Sequence, residues 1–297
     1  MDDMYVKRNI MCIDLKSFFA SCECVERGLD PFKVPLVVAN KKQGNGAITL
    51  AVTPALKKQG IPGRVRLYDI PKNIKYEIVP PRMKLYIEKS KQVVGIYLDY
   101  VAPEDLHIYS IDECFLDVTD YLKLYKKTDY ELAEEILKTV EEKTGLTATC
   151  GIGPNLLLAK VAMDTEAKKY KNGIAKWTYD DVPEKLWSIT PLSKMWGIGP
   201  RMEKKLNNLN IYTVGELANY DKNILYICQG NQNDWLMSTG ALITDVNWIP
   251  SIKPQEAIKC NTKFRYRQKD NPVTLTFIDE NTVKLEFDQP VKSVTPG

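Results

Sequence analysis

The run IMCIDL at residues 10–15 is apolar except for one acid near its end, which predicts a buried strand carrying Asp14 to a sheet edge. The following segment, SFFASCECVERGLDP, repeats apolar side chains at helical spacing through Phe18, Cys22 and Val25. It predicts a helix capped by Ser17 and ended by Gly28 and Pro31. PLVVAN and GAITLAV predict two strands joined by the polar turn KKQGNG, and residues 53–60 a short basic helix. Helical spacing returns over residues 82–100. LHIYSIDECFLDVTD then alternates as a hairpin does, with its tip at Asp112 and Glu113. A helix over 130–144, the strand LTATCGIG and a helix over about 155–169 follow.

The order strand, helix, hairpin, helix, strand predicts an α+β unit of ferredoxin-like layout with an excursion after its first strand, a sheet that sets Asp14 and Asp112 side by side. From about residue 171 the texture shifts to short helical pieces ending in MWGIGPRMEKKLNNLNIYTVGELANY. After residue 221 strand-like runs such as ILYIC, VTLTFI and TVKLEF take over, which places a boundary near 220. A chain of 297 residues is long enough for two or more structural units.

Composition is that of a globular protein, 44% hydrophobic and 27% charged. No apolar run reaches the roughly 18 residues needed to span a bilayer, so no membrane role is expected. The N-terminus, MDDMYVKRNI, carries acids where a secretory leader is basic, which points to a cytoplasmic protein. Seven scattered cysteines without a CxxC pair and a single histidine, His107, argue against a disulfide framework and a zinc site. Cys22 and Cys24 read as small apolar side chains. Chemistry must then run on carboxylates, lysines and metals. The net charge of +3 is unevenly spread: residues 57–91 hold ten basic and three acidic side chains, residues 99–142 four basic and thirteen acidic. Such polarity suits a protein that grips phosphates in one part and gathers carboxylates in another, although solvated helix faces also produce it.

Asp14, Asp112 and Glu113 are the candidate catalytic acids. Each alone could be a cap or a surface residue. One at a strand end and two at a hairpin tip together suit a pair of divalent cations, the arrangement that activates a 3′-hydroxyl and neutralises a leaving pyrophosphate. Magnesium takes few carboxylates plus waters and substrate phosphates, so three acids suffice.

Four motifs carry a family resemblance. The run from Asp14 to Glu23, DLKSFFASCE, resembles the first signature of Y-family DNA polymerases, and SIDECFLD from Ser110 to Asp117 resembles the second. GIGPNLLLAKVAMD, from Gly151, is similar to the third, and TPALKKQG, from Thr53, resembles the fingers motif of the UmuC-type branch. The motifs stand in family order over about residues 8–220. The resemblance implies a lesion-bypass DNA polymerase that acts on primer-template DNA and dNTPs with two Mg2+ ions. A sliding clamp or a recombinase filament stands as a further partner class. It implies a palm at 1–17 and 83–167, small fingers at 18–82, and a helical thumb with a helix-hairpin-helix at 168–220.

Residue by residue, the resemblance makes Asp14, Asp112 and Glu113 metal ligands, with Leu15 adding a backbone carbonyl. Phe18 and Phe19 fall at the nucleotide, Phe19 as the steric gate whose ring excludes a ribose 2′-hydroxyl. Lys57 and Lys160 meet the triphosphate. The tyrosine common three residues before Lys57 is replaced by Pro54, which removes one expected phosphate contact. In WGIGPRMEKKLNNL, Gly197 and Gly199 free backbone N–H groups for a DNA phosphate, and Lys204 and Lys205 add charge.

The family's little-finger domain is not recognisable after residue 220. KCNTKFRYRQKDNPVTL and FDQPVKSVTPG instead resemble the C-terminal β-barrel of bacterial tRNA-uridine 2-sulfurtransferases, as do ILYICQG and LITDVNW. A partial β-barrel segment over 221–297 is expected, short of its usual last strands and with an unpaired edge. No sulfur-transfer activity follows, because that family's activating domain has no counterpart here. The alternative to a polymerase is a catalytically weak or silent DNA- or tRNA-binding fusion; a nucleotidyl cyclase would share the sheet and acids but not the helix-hairpin-helix.

Overall fold

The computed structural model describes residues 8–220, 237–243, 257–263, 270–278 and 282–292. Strand β1 (Ile10–Leu15) is buried along nearly its whole length. An apolar strand covered on both faces belongs inside a sheet. The sheet runs β5 (Leu106–Ile108), β6 (Glu113–Asp117), β1, β7 (Ala148–Gly153), β8 (Ile174–Lys176). β1 is antiparallel to both neighbours and β5 to β6, the ferredoxin-like order; β8 adds a parallel edge to β7.

Side chains alternate across a strand. Met11 and Ile13 enter the main core with Tyr86, Val93, Ile96 and Tyr97 of α3 (Met83–Leu98) and Leu132, Ile136 and Val140 of α5 (Asp129–Thr144). Helix α5 starts in a capping box, Thr128 and Glu131 satisfying each other's backbone N–H. A short α4 (Tyr121–Tyr125) precedes it. Cys12 and Asp14 fall on the opposite face, the side on which α6 (Leu156–Thr165) covers β7.

The excursion after β1 opens with α1 (Phe18–Glu26), followed by β2 (Leu36–Val38), a 3-10 turn over Lys41–Gly46, β3 (Ala51–Val52), α2 (Pro54–Lys57) and β4 (Glu77–Val79). Its three-stranded sheet, ordered β3–β2–β4, pairs β2 antiparallel to β3 and parallel to β4, and covers a separate core of Val37, Val52, Leu56, Leu67 and Ile70. Ser17 occupies the N-cap position of α1 but does not cap it. Its backbone is left-handed (φ 49°, ψ 43°), whereas a capping serine needs extended backbone, and its hydroxyl is buried without a partner. The hairpin turn spans residues 109–112, with Tyr109 and Ser110 amides donating to the Glu113 carbonyl. Glu113 therefore begins β6 rather than sitting at the tip.

Past β8, α7 (Pro200–Asn207) and α8 (Val214–Ala218) pack through buried Ile198, Leu206, Ile211 and Val214. The chain divides into two units, Met1–Ala218 and Asn219–Gly297. In the second, β9 (Met237–Ile243), β10 (Ile258–Thr262), β11 (Asn271–Phe277) and β12 (Val283–Lys292) form an antiparallel sheet of order β10–β11–β12–β9, open among the described residues. The runs ILYICQG and most of LITDVNW lie outside the described residues.

Gly151 permits the contact of α6 with β7. A Cβ there would stand 2.0 Å from the Ala159 carbonyl oxygen and 2.4 Å from the Met163 nitrogen, backbone atoms that cannot give way alone. Gly151→Ala is expected to lower the unfolding free energy of the full chain by about 3 kcal/mol, measured by urea denaturation, because helix and strand must separate.

Candidate active site

Register brings the acids together. Asp14 on β1 lies directly opposite Glu113 on β6, and the Leu15 amide donates to the Asp112 carbonyl at 3.0 Å. With that bond formed, Asp14 and Glu113 make the neighbouring non-hydrogen-bonded pair, in which opposed side chains approach most closely. The Leu15 side chain is buried in the core. Ser110 Oγ donates to Asp112 Oδ1 at 2.7 Å, holding that carboxylate at the turn.

Helix α6 meets this pair with a ladder of alternating charge. Lys160, Asp164 and Lys168 recur at spacings of four, Lys168 in the 3-10 turn Ala167–Lys169 that prolongs the helix. Lys160 Nζ stands 2.9 Å from both Glu113 Oε1 and Asp164 Oδ2. Lys168 Nζ lies 2.8 Å from Asp164 Oδ1 and 3.0 Å from Asp14 Oδ2. Burial opposes the charge on Lys160, but the Asp164 and Glu113 carboxylates outweigh it and hold its pKa above the ordinary value; Asp14 and Asp164 do the same for Lys168. Asp14 is pushed up by burial, only partly offset by Lys168. Cys12 Sγ donates to Glu113 Oε1 at 3.2 Å.

Among the described residues no three His, Cys, Asp or Glu side chains form a ready-made cage for an ion. Asp14 and Glu113 each turn an oxygen to a lysine, and Asp112 turns one to Ser110. The donor set nevertheless suits a hard divalent cation, since its side-chain donors are carboxylate oxygens and two ammonium groups already stand against them as cations.

A cavity of about 450 Å³ opens beside Asp14, lined also by Lys16, Ser17, Pro54, Lys57, Lys58 and Lys168. Four lysines and one aspartate line it. Burial lowers the pKa of Lys57, although Asp14 works the other way, and burial likewise lowers Lys16. An anion entering here would relieve both. Lys160, expected at the phosphates, is not part of this lining. Lys168 does line it, and its signal in the sequence was the sign alternation at 160, 164 and 168.

Phe18 is 3% exposed and belongs to the main core, so its side chain is not presented to a ligand in the cavity. Phe19 is half-buried and stacks on Tyr86, with ring centroids 4.4 Å apart and planes 15° apart. Tyr86 OH donates to Glu23 Oε1 at 2.8 Å, and the fully buried Glu23 also receives Arg82 and Arg27. Burial alone would raise Glu23, but these donors leave its pKa below the ordinary value.

Gly197, in the left-handed region at φ 88°, and Gly199 precede α7, and a Cβ on either would meet nothing within 4 Å. Lys204 and Lys205 are exposed on that helix. Trp196, just before them, donates through Nε1 to the Tyr109 hydroxyl at 3.2 Å and packs on Phe115. His107 joins the same aromatic cluster. Cys12, Cys22, Cys24, Cys114 and Cys150 are buried, and burial pushes the Cys22 thiol up to about 12 and Cys24 to about 11. Cys228 lies outside the described residues. No described helix is long and apolar enough to cross a membrane.

Residues 13–164 match the impB/mucB/samB family, residues 179–211 the IMS family HHH motif, and residues 238–297 the aminomethyltransferase β-barrel domain. The chain is 44% identical over 232 residues to UvrX of Bacillus subtilis (strain 168), a protein named for UV-damage repair, with 77% of this chain and 54% of the relative covered. It is 36% identical over 263 residues to DNA polymerase IV 2 of the same organism, covering 86% of this chain and 61% of that one. The chain thus spans between half and two thirds of the length of these relatives. The crystal structure of DinB from Sulfolobus solfataricus superposes with a TM-score of 0.60 at 26% identity, over 72% of this chain and 61% of that one.

The two ladder lysines separate by burial. The Lys160 side chain is 8% exposed against a Glu113 side chain at 10%, whereas Lys168 is 43% exposed. Lys160→Met is expected to destabilise the chain by about 3–5 kcal/mol by stranding a buried carboxylate. Lys168→Met should cost less than about 1 kcal/mol. Urea denaturation of both variants reads the difference.

Proposed function

The chain belongs to the impB/mucB/samB family, and from that footing we propose that residues 8–220 copy DNA past lesions, adding dNTPs to a primer 3′-hydroxyl. The observation that supports this best is the register setting Asp14 opposite Glu113, with Asp112 tied to Leu15, at the edge of a lysine-lined cavity. DNA polymerase IV 2 of B. subtilis, a relative, carries DNA polymerase activity in its name.

In this reading Asp14, Asp112, Glu113 and the Leu15 carbonyl would hold two Mg2+ ions, which supply activation of the 3′-hydroxyl and charge neutralisation at the leaving pyrophosphate. Lys57 and Lys168 receive the triphosphate in the cavity and offset charge on the leaving group. Lys160 holds Glu113 in place through the 2.9 Å ion pair. Phe19, backed by Tyr86, lies under the sugar and rejects a 2′-hydroxyl by overlap. The Gly197 and Gly199 amides take a duplex phosphate at the start of α7, and Lys204 and Lys205 add charge that reads no sequence. A small excursion built on a three-stranded sheet encloses the base pair loosely, which permits distorted templates and errors together.

Primer extension with magnesium tests the assignment. Asp112→Ala is expected to lower incorporation about 10³-fold, equivalent to about 4 kcal/mol, while primer-template binding persists. Tight DNA binding by the unaltered chain without incorporation would refute polymerase activity and favour a silent binding module. Phe19→Ala should cut the preference for dNTPs over rNTPs by about a hundredfold in the same assay. An unchanged preference removes the gate assignment.

A further inference from the structure

We propose that Glu23 is a positioning residue for sugar selection: it anchors Tyr86, and Tyr86 fixes the height of the Phe19 ring. The inference rests on the reading of Phe19 as the steric gate.

Phe19 and Glu23 are four residues apart on one face of α1, and Arg82 and Tyr86 are four apart at the start of α3, so the two pairs confront each other across the helix packing. Every member is engaged. Arg82 Nε lies 3.0 Å from Glu23 Oε1 and Arg82 Nη2 2.6 Å from Oε2, a two-pronged guanidinium grip. Arg27, a turn further along α1, donates to the same carboxylate and to the Glu23 carbonyl. Tyr86 OH completes the set on Oε1 at 2.8 Å. The carboxylate is thus saturated with donors although it is wholly shielded from water.

A buried charge of this kind is costly to desolvate, and a leucine would fill the position more cheaply if packing were the only requirement. What the charge provides is a fixed orientation. Tyr86 has no exposure, and its hydroxyl is tied at one end while its ring lies flat against Phe19. Phe18 closes the side of Tyr86 edge-on at 6.5 Å. Phe19 is only half-buried, with Tyr86 stacked against one face. Its retreat from a bulkier sugar is therefore limited by Tyr86, and the retreat of Tyr86 by Glu23. Loosening the anchor lets both rings settle together and opens room for a 2′-hydroxyl.

The test compares rNTP with dNTP incorporation by the full chain on primer-template DNA for Tyr86→Phe, Glu23→Gln and Phe19→Ala, with melting temperatures measured alongside. Tyr86→Phe keeps the ring and removes one oxygen, so it serves if Glu23→Gln does not fold. The expected result is a fall in dNTP preference of about tenfold in Tyr86→Phe and in Glu23→Gln, between the unaltered chain and Phe19→Ala. A purely structural tie between α1 and α3 would instead lower the melting temperature and both rates in proportion, leaving the preference unchanged, and that outcome overturns the proposal. If Phe19→Ala relaxes selection and the other variants do not, the gate stands and the anchor falls. If Phe19→Ala itself leaves selection unchanged, both readings fail.

Discussion

The contact of helix α6 with strand β7 governs the active centre. Two helix turns can lie this close to a strand only where the strand presents no Cβ, and Gly151 and Gly153 meet Ala159, Leu158 and Met163 directly. The helix is thereby set against the face that carries Asp14 and Glu113. A larger residue at β7 would lift Lys160 and Lys168 off their carboxylates. Backbone packing and site electrostatics are one constraint seen at two scales.

The excursion after β1 contributes in a different way. It has its own core, and it brings Lys57 and Lys58 toward the end of β1, where Lys16 already lies. Burial lowers the pKa values of Lys16 and Lys57, a cost that an anion entering the cavity would offset.

Much of this organisation was legible in the sequence. IMCIDL announced a buried strand because nothing in it but Asp14 tolerates water, and helical spacing over 130–144 placed α5 within one residue of its observed start. The three-residue strands β4 and β8 were not legible, since each is completed only by parallel pairing with a distant neighbour. Ser17 misled because cap chemistry depends on backbone conformation, which composition does not reveal. Lys168 hid in a polar run resembling a solvated helix end, two turns past Lys160. The Glu23 anchor was invisible: its partners on α3 are about sixty residues away, and a glutamate on a helix ordinarily faces solvent.

The alternation of Lys160, Asp164 and Lys168 has a wider consequence. Acids crowded at a sheet edge repel one another and strain a fold that lacks counter-charge. Here Lys160 and Lys168 act as internal counterions for Glu113 and Asp14. Any guest cation must compete with tethered ammonium groups that never diffuse away.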